Sequence, residues 1–188
     1  MSRLNHRNKK TLDRAGLIYL SLGIALLLVY SVWRFHQARI LSFFGSGEEV
    51  RGVTLQTEGE IPVWIKSYPL GVDVSVQRSQ VKDGIWQVFP DSASYLESSA
   101  RIGEGGNIII YGHNKDRILG PIRWAKEGTL FELFDNEGQK YIYEVFKVDI
   151  VSPDNLTYIL PTSEETLTLY TCTGFLDSKR FVVVAKRK

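Results

Sequence analysis

Residues 166–185 read TLTLYTCTGFLDSKRFVVVA, and two strands can be read from them directly. In Leu167-Thr168-Leu169-Tyr170-Thr171 large apolar groups alternate with threonines, the period of a pleated strand. Phe181-Val182-Val183-Val184-Ala185 is a run of aromatic and β-branched residues that suits a sheet. Between them lies the short loop TGFLDSK. Cys172 closes the first strand and Arg180 opens the second. If the two strands pair antiparallel, the end of one neighbours the start of the next, and both side chains face one cleft.

Further strands appear on moving outward from this pair. IPVWIKSY, GVDVSVQ, GNIIIYGH, GTLFELF and KYIYEVFKVDIV carry the same composition. They are divided by Pro69, Gly71, Gly105-Gly106, Asn136-Glu137-Gly138, Pro153 and Pro161. DNEG, between two apolar runs, predicts a hairpin turn. Ser92–Arg101 (SASYLESSAR) and PTSEE before the 166–172 strand are expected to be short helices. A mainly β domain over 58–188 follows, and strand pattern alone leaves a sandwich and a barrel equally open.

Toward the N-terminus the character changes. Ala15–Trp33 holds no charged residue, and about 20 apolar residues suffice to cross the hydrocarbon core. Arg14 and Arg34 bracket the run, and Tyr19, Tyr30 and Trp33 sit near its ends, where amphipathic aromatics favour the headgroup layer. Five basic residues (Arg3, Arg7, Lys9, Lys10, Arg14) precede it against one acid, Asp13. The positive-inside rule then places the N-terminus in the cytoplasm and the rest outside. A cleaved signal peptide fits less well, because the run exceeds the usual ~7–15-residue apolar core and no small-x-small site follows. The expected organisation is a basic cytoplasmic tail over 1–14, a transmembrane helix over 15–35, a flexible stalk over 36–57 and an extracellular domain over 58–188. That makes a single-pass type II protein of the cell membrane.

Composition removes several function classes. The formal net charge of the 188-residue chain is +2, which gives nucleic-acid binding no support. A single cysteine excludes an internal disulfide and a zinc site built on paired thiols. It also disfavours redox exchange, since no second thiol can resolve a mixed disulfide.

Three histidines are present: His6, His36 and His113. The first falls in the cytoplasmic tail and the second abuts the membrane. His113 is therefore the domain's one histidine, as Cys172 is its one thiol, and both stand at strand ends. A thiol near pKa 8.5 is only a few per cent thiolate at neutral pH and needs a cationic or basic partner. His113 is the candidate acid/base for a nucleophilic Cys172. Arg180 is the candidate donor to a tetrahedral oxyanion, a role in which one donor in a characterised hydrolase is worth about 3 kcal/mol.

These elements resemble the sortase family. Thr168-Leu169-Tyr170-Thr171-Cys172 matches the family's TLxTC motif at each fixed position. His113 in IIIYGHN matches its Gly-His element. Arg180, at the head of the last strand, matches the family arginine better than Arg187 at the far end. The order His, Cys, Arg is also the family's, and the likeness spans residues 58–188.

The resemblance implies a closed β-barrel of about eight strands with short helices, joined to one N-terminal transmembrane helix. It implies a cysteine transpeptidase that cleaves an LPxTG-like C-terminal sorting motif through a thioacyl-enzyme at Cys172, with Thr171 as a substrate-binding donor. The implied partners are secreted proteins bearing a sorting signal and an amine acceptor, either a peptidoglycan precursor or a pilin lysine. No cofactor and no metal are expected: Glu58, Glu60, Asp73 and Asp83 read as solvated loop charges. The short loop TGFLDSK is closer to class D or E enzymes than to the housekeeping class A. The competing reading is a membrane-tethered β-barrel that binds a partner without chemistry, in which His113, Cys172 and Arg180 need not converge.

Overall fold

A computed structural model describes residues 7–37, 60–82 and 85–188. The expected stalk lies outside these residues, except for His36 and Gln37.

One unit is the helix α1, Arg7–Gln37. Within it Ala15–Trp33 has a mean hydropathy of 2.2 and is exposed throughout. At about 1.5 Å per residue this stretch is about 28 Å long, close to the ~30 Å of a bilayer's hydrocarbon core. It is long and apolar enough to cross a membrane.

The other unit is built from ten strands among the described residues. They are β1 Trp64–Ser67, β2 Val72–Ser79, β3 Val81–Lys82, β4 Ile85–Trp86, β5 Ala93–Leu96, β6 Asn107–Gly112, β7 Leu130–Phe134, β8 Lys140–Val151, β9 Thr166–Thr173 and β10 Lys179–Arg187. Eight of them close into a barrel in the order β1-β2-β5-β6-β9-β10-β8-β7, while β3 and β4 form a separate hairpin. The β2–β5 and β6–β9 pairs are parallel and the remaining barrel pairs antiparallel. Closure leaves the barrel strands no continuous open edge. The expected mainly β fold is thus a barrel of eight strands.

Side-chain parity divides the core in two. One apolar cluster draws residues from every barrel strand, among them Ile65, Val74, Tyr95, Ile110, Leu133, Tyr143, Leu169 and Val183, so it fills the interior. A second cluster takes the alternate residues of three adjacent strands: Ile109 and Tyr111, Tyr170 and Cys172, Val182 and Val184. These face outward. Trp86 and Val88 cover them from one side, and Leu156, Tyr158 and Ile159 from the β8–β9 connection. Because β6, β9 and β10 are buried on both faces, runs such as IIIY and VVV read as continuously apolar rather than alternating.

Two helix expectations fail. Ser92–Arg101 contains β5, which pairs parallel to β2 and antiparallel to β6. A ten-residue helix is marginal in water, whereas Ala93 and Tyr95 bury fully inside the barrel as a strand. PTSEE is not helical either. Thr162 Oγ1 donates to the Glu164 carbonyl, a local bond that competes with helix formation. Glu165 is engaged by the Gly103 N–H at 2.7 Å and the Tyr143 hydroxyl at 2.6 Å. The short helices that do occur in the domain are 3₁₀ turns at Tyr68–Leu70, Gly120–Trp124, Thr157–Ile159 and Phe175–Asp177. The DNEG hairpin joins β7 to β8. Asp135 Oδ1 accepts the N–H groups of Glu137 and Gln139, and Gly138 takes the left-handed position.

Candidate active site

Strand register determines which chemistry-bearing residues become neighbours. Cys172 of β9 pairs with Arg180 of β10 in the antiparallel ladder. Directly opposed residues project to the same face, here the outer one. On the other side of β9, Gly112 of β6 pairs with Thr171 in the parallel ladder. His113 therefore follows β6 at the level of Cys172. Three adjacent strands deliver the three residues to one end of the barrel. Arg187 stands at the far end of β10, opposite Tyr143, with its Nη1 3.3 Å from Glu165 Oε1.

The backbone around His113 is tightly wound. Its carbonyl accepts the Lys115 N–H at 2.8 Å and the Leu119 N–H at 3.4 Å. A Cβ on Gly112 would come within 3.0 Å of Ile118 Cγ2 and 3.3 Å of Leu119 Cδ1. One on Gly120 would come within 2.7 Å of the Lys115 carbonyl. The Gly-His pair in the sequence thus marks a place where the following turn folds back onto the strand. His113 itself is half-buried.

Cys172 is only 5% exposed and Arg180 only 4%. Burial pushes the thiol above its ordinary range; the Arg180 guanidinium opposes this, and the Asp177 carboxylate adds to it. Arg180 Nη1 donates to the carbonyls of Asp177 at 2.9 Å and Lys179 at 3.1 Å. The Thr171 side chain is directed elsewhere. Its hydroxyl donates to the Gly112 carbonyl at 3.0 Å, on the face opposite Cys172 because successive strand residues alternate. The hydroxyl thus ties β9 to β6 beside the site.

Two further groups shape the floor and one wall of the site. Tyr111 donates to the Gln87 carbonyl at 2.8 Å and shares a 2.7 Å hydrogen bond with Ser79. Trp86 stands edge-on to the Tyr111 ring, with centroids 4.7 Å apart. Asn107, buried at the start of β6, donates through Nδ2 to the carbonyls of Tyr158 and Leu160 at 2.9 and 3.0 Å, while its Oδ1 accepts the Thr168 hydroxyl at 2.7 Å. One side chain therefore pins the β8–β9 connection onto the outer face. Sequence reading missed both devices, since a polar residue at a strand head and an aromatic in an apolar run carry no mark of distant partners.

Comparison with known proteins identifies the family. The sortase domain family model matches residues 69–188. The chain belongs to the sortase family. Sortase A of Bacillus anthracis is 30% identical over 114 residues, covering 58% of this chain and 53% of its own. The chain thus spans about half the length of this curated relative. Among solved structures, sortase A from Corynebacterium diphtheriae aligns with a TM-score of 0.58 at 21% identity, covering 71% of this chain and 63% of that one. Listeria monocytogenes sortase A aligns with a TM-score of 0.56 at 24% identity, covering 69% and 88%. At these identities the structural likenesses establish the barrel alone. In this sortase Cys172 and Arg180 are directly paired residues of β9 and β10.

Proposed function

We propose that this sortase is a membrane-tethered cysteine transpeptidase with Cys172 as nucleophile, His113 as general acid/base and Arg180 as oxyanion donor. The observation that carries the reading is the strand register, which brings the domain's one thiol, its one histidine and a buried arginine to the same end of three adjacent strands. A binding module without chemistry has no need of this convergence.

The Cys172 thiolate attacks the carbonyl carbon of the threonine in an LPxTG-like sorting motif. The carbonyl π pair moves to oxygen, where Arg180 donates hydrogen bonds to the developing charge. Collapse expels the downstream amine, which takes a proton from His113, and leaves a thioester on Cys172. An incoming primary amine then loses a proton to His113, attacks the thioester and releases the thiolate as a new amide forms. Splitting the exchange in two is what covalent catalysis provides. The amine belongs to a peptidoglycan precursor or a pilin lysine. The basic residues before Ala15 orient the helix with the domain outside the cell.

The test uses the full chain in detergent, a panel of LPxTx peptides, and amines such as triglycine. Mass spectrometry is expected to find a thioester on Cys172 that the amine discharges. Arg180→Lys is expected to lose most turnover, because a point-charge ammonium cannot reproduce the guanidinium fork. A wild-type chain that never acylates, yet binds sorting peptides as well as Cys172→Ala does, would sink the proposal.

A further inference from the structure

The five residues that join β9 to β10 adopt an unusual backbone. Beyond the Thr173–Lys179 pair, Gly174 has φ +79, followed by Leu176 at φ +52 and Asp177 at φ +59. Two consecutive non-glycine residues in the left-handed region are rare, because Cβ crowds the following carbonyl and L-residues visit this region singly. Side-chain burial does not account for it: Phe175 is 84% exposed and Leu176 49%. The turn is closed by weak backbone bonds, Asp177 N–H to Gly174 at 3.3 Å and Ser178 N–H to Phe175 at 3.2 Å. The strained pair does deliver one well-formed contact, the Asp177 carbonyl onto Arg180 Nη1 at 2.9 Å. Persistent local strain is characteristic of functional sites.

We propose that Asp177 is a positioning residue for Arg180, acting through its backbone: the left-handed Leu176–Asp177 pair turns the Asp177 carbonyl onto the guanidinium and holds it beside Cys172. This rests on the reading of Arg180 as the oxyanion donor. The Asp177 side chain has a separate and opposite influence. Its carboxylate disfavours the Cys172 thiolate, whereas the guanidinium that its carbonyl holds favours it. The other titratable groups near the thiol are His113 beyond β6, Tyr111 and Tyr170 within the same cluster, and Tyr158 above it. None of these changes in the variants below.

The two roles separate in a substitution series on the full chain in detergent. Asp177→Asn and Asp177→Gly remove the carboxylate and tolerate the left-handed region. Asp177→Val removes the same carboxylate but resists that region strongly. The readouts are the pH profile of Cys172 alkylation by iodoacetamide, which needs no peptide, and kcat with KM for a sorting peptide. Asn and Gly are expected to shift the alkylation midpoint to lower pH and to keep at least half of wild-type kcat. Val is expected to shift the midpoint to higher pH and to lower kcat at least tenfold. Alkylation profiles for Val and Asn that coincide would overturn the proposal, as would Asn and Gly losing as much kcat as Val. If Asp177→Val does not fold, Asp177→Ala supplies the comparison, with a midpoint expected above that of Asn. Where no peptide acylates Cys172, the transpeptidase reading falls while the alkylation series still decides the positioning role.

Discussion

Gly112 shows how closely the site is packed. Its Cα lies where Ile118 and Leu119 fold back against β6, and an added methyl would sit 3.0 and 3.3 Å from their side chains. Overpacking of this kind costs about 1–3 kcal/mol. Gly112→Ala is therefore expected to lower stability by that amount in urea titration. It is also expected to reduce turnover more than the stability loss explains, because the residue that moves carries His113. A variant with normal kcat and a lowered urea midpoint would show that the His113 turn absorbs the methyl without displacing the ring. Arg180 shows a different economy. It is nearly as buried as the apolar residues beside it, and carbonyls of its own turn accept its Nη1 hydrogens. The carbonyls of its own turn thus hold the guanidinium on the strand face it shares with the thiol.

At the scale of elements, the β8–β9 connection decides what lies over the outer face. Leu156, Tyr158 and Ile159 cover the second apolar cluster, and Asn107 holds their backbone through two donated bonds. Tyr158 is anchored again by its hydroxyl, which donates to Asp149 at 2.6 Å. Asn107→Ala strands two carbonyls and the Thr168 hydroxyl. Losing partners for buried polar groups costs about 1–3 kcal/mol. The expected result is a comparable loss of stability with limited proteolysis appearing first within residues 152–165. Protease resistance there equal to wild type would mean that Tyr158 and its neighbours suffice to hold the segment. Element identity was legible where local pattern and tertiary need agreed, as in β6, β8, β9 and β10. It was not legible for β5. There the serines and the single glutamate of SASYLESS suggest a helix or turn, and only the strands on either side, β2 and β6, make it a strand.

At the scale of the molecule, four tyrosines are fully buried in the barrel and its outer cluster: Tyr95, Tyr111, Tyr143 and Tyr170. Burial pushes Tyr95 and Tyr111 up from 10.0 to about 12, and Tyr143 and Tyr170 are also raised by burial. The folded state then binds protons that the unfolded state releases. This stabilisation is complete below pH 10 and is lost as pH rises from 10 toward 12. Absorbance at 295 nm is expected to show the four buried tyrosines ionising only as the domain unfolds. A single smooth titration near pH 10 with the fold intact would contradict it. The proposed orientation is tested separately. Cys172→Ala yields a cysteine-free chain, so Ser163→Cys in that background should react with a membrane-impermeant maleimide on intact cells, and Ser2→Cys only after permeabilisation. The reverse pattern would invert the topology.

The sequence by itself determined the apolar helix, because nineteen uncharged residues in a row are a local property that needs no partner. It determined most of the strands for the same reason, and by simple scarcity it made Cys172 and His113 the candidate pair. Tertiary structure alone decided that the strands close into a barrel, that β5 belongs to it, and that Thr171 turns its hydroxyl away from the thiol. The physical reason is that register and face arise from pairing between segments far apart in the chain. A one-residue slip exchanges the faces, and nothing within a single strand records which neighbour it will meet. Arg180 shows the division most clearly. Its place at the head of a strand was visible in the sequence, whereas the left-handed turn whose carbonyl accepts its Nη1 hydrogen is not encoded by any glycine at positions 176 and 177.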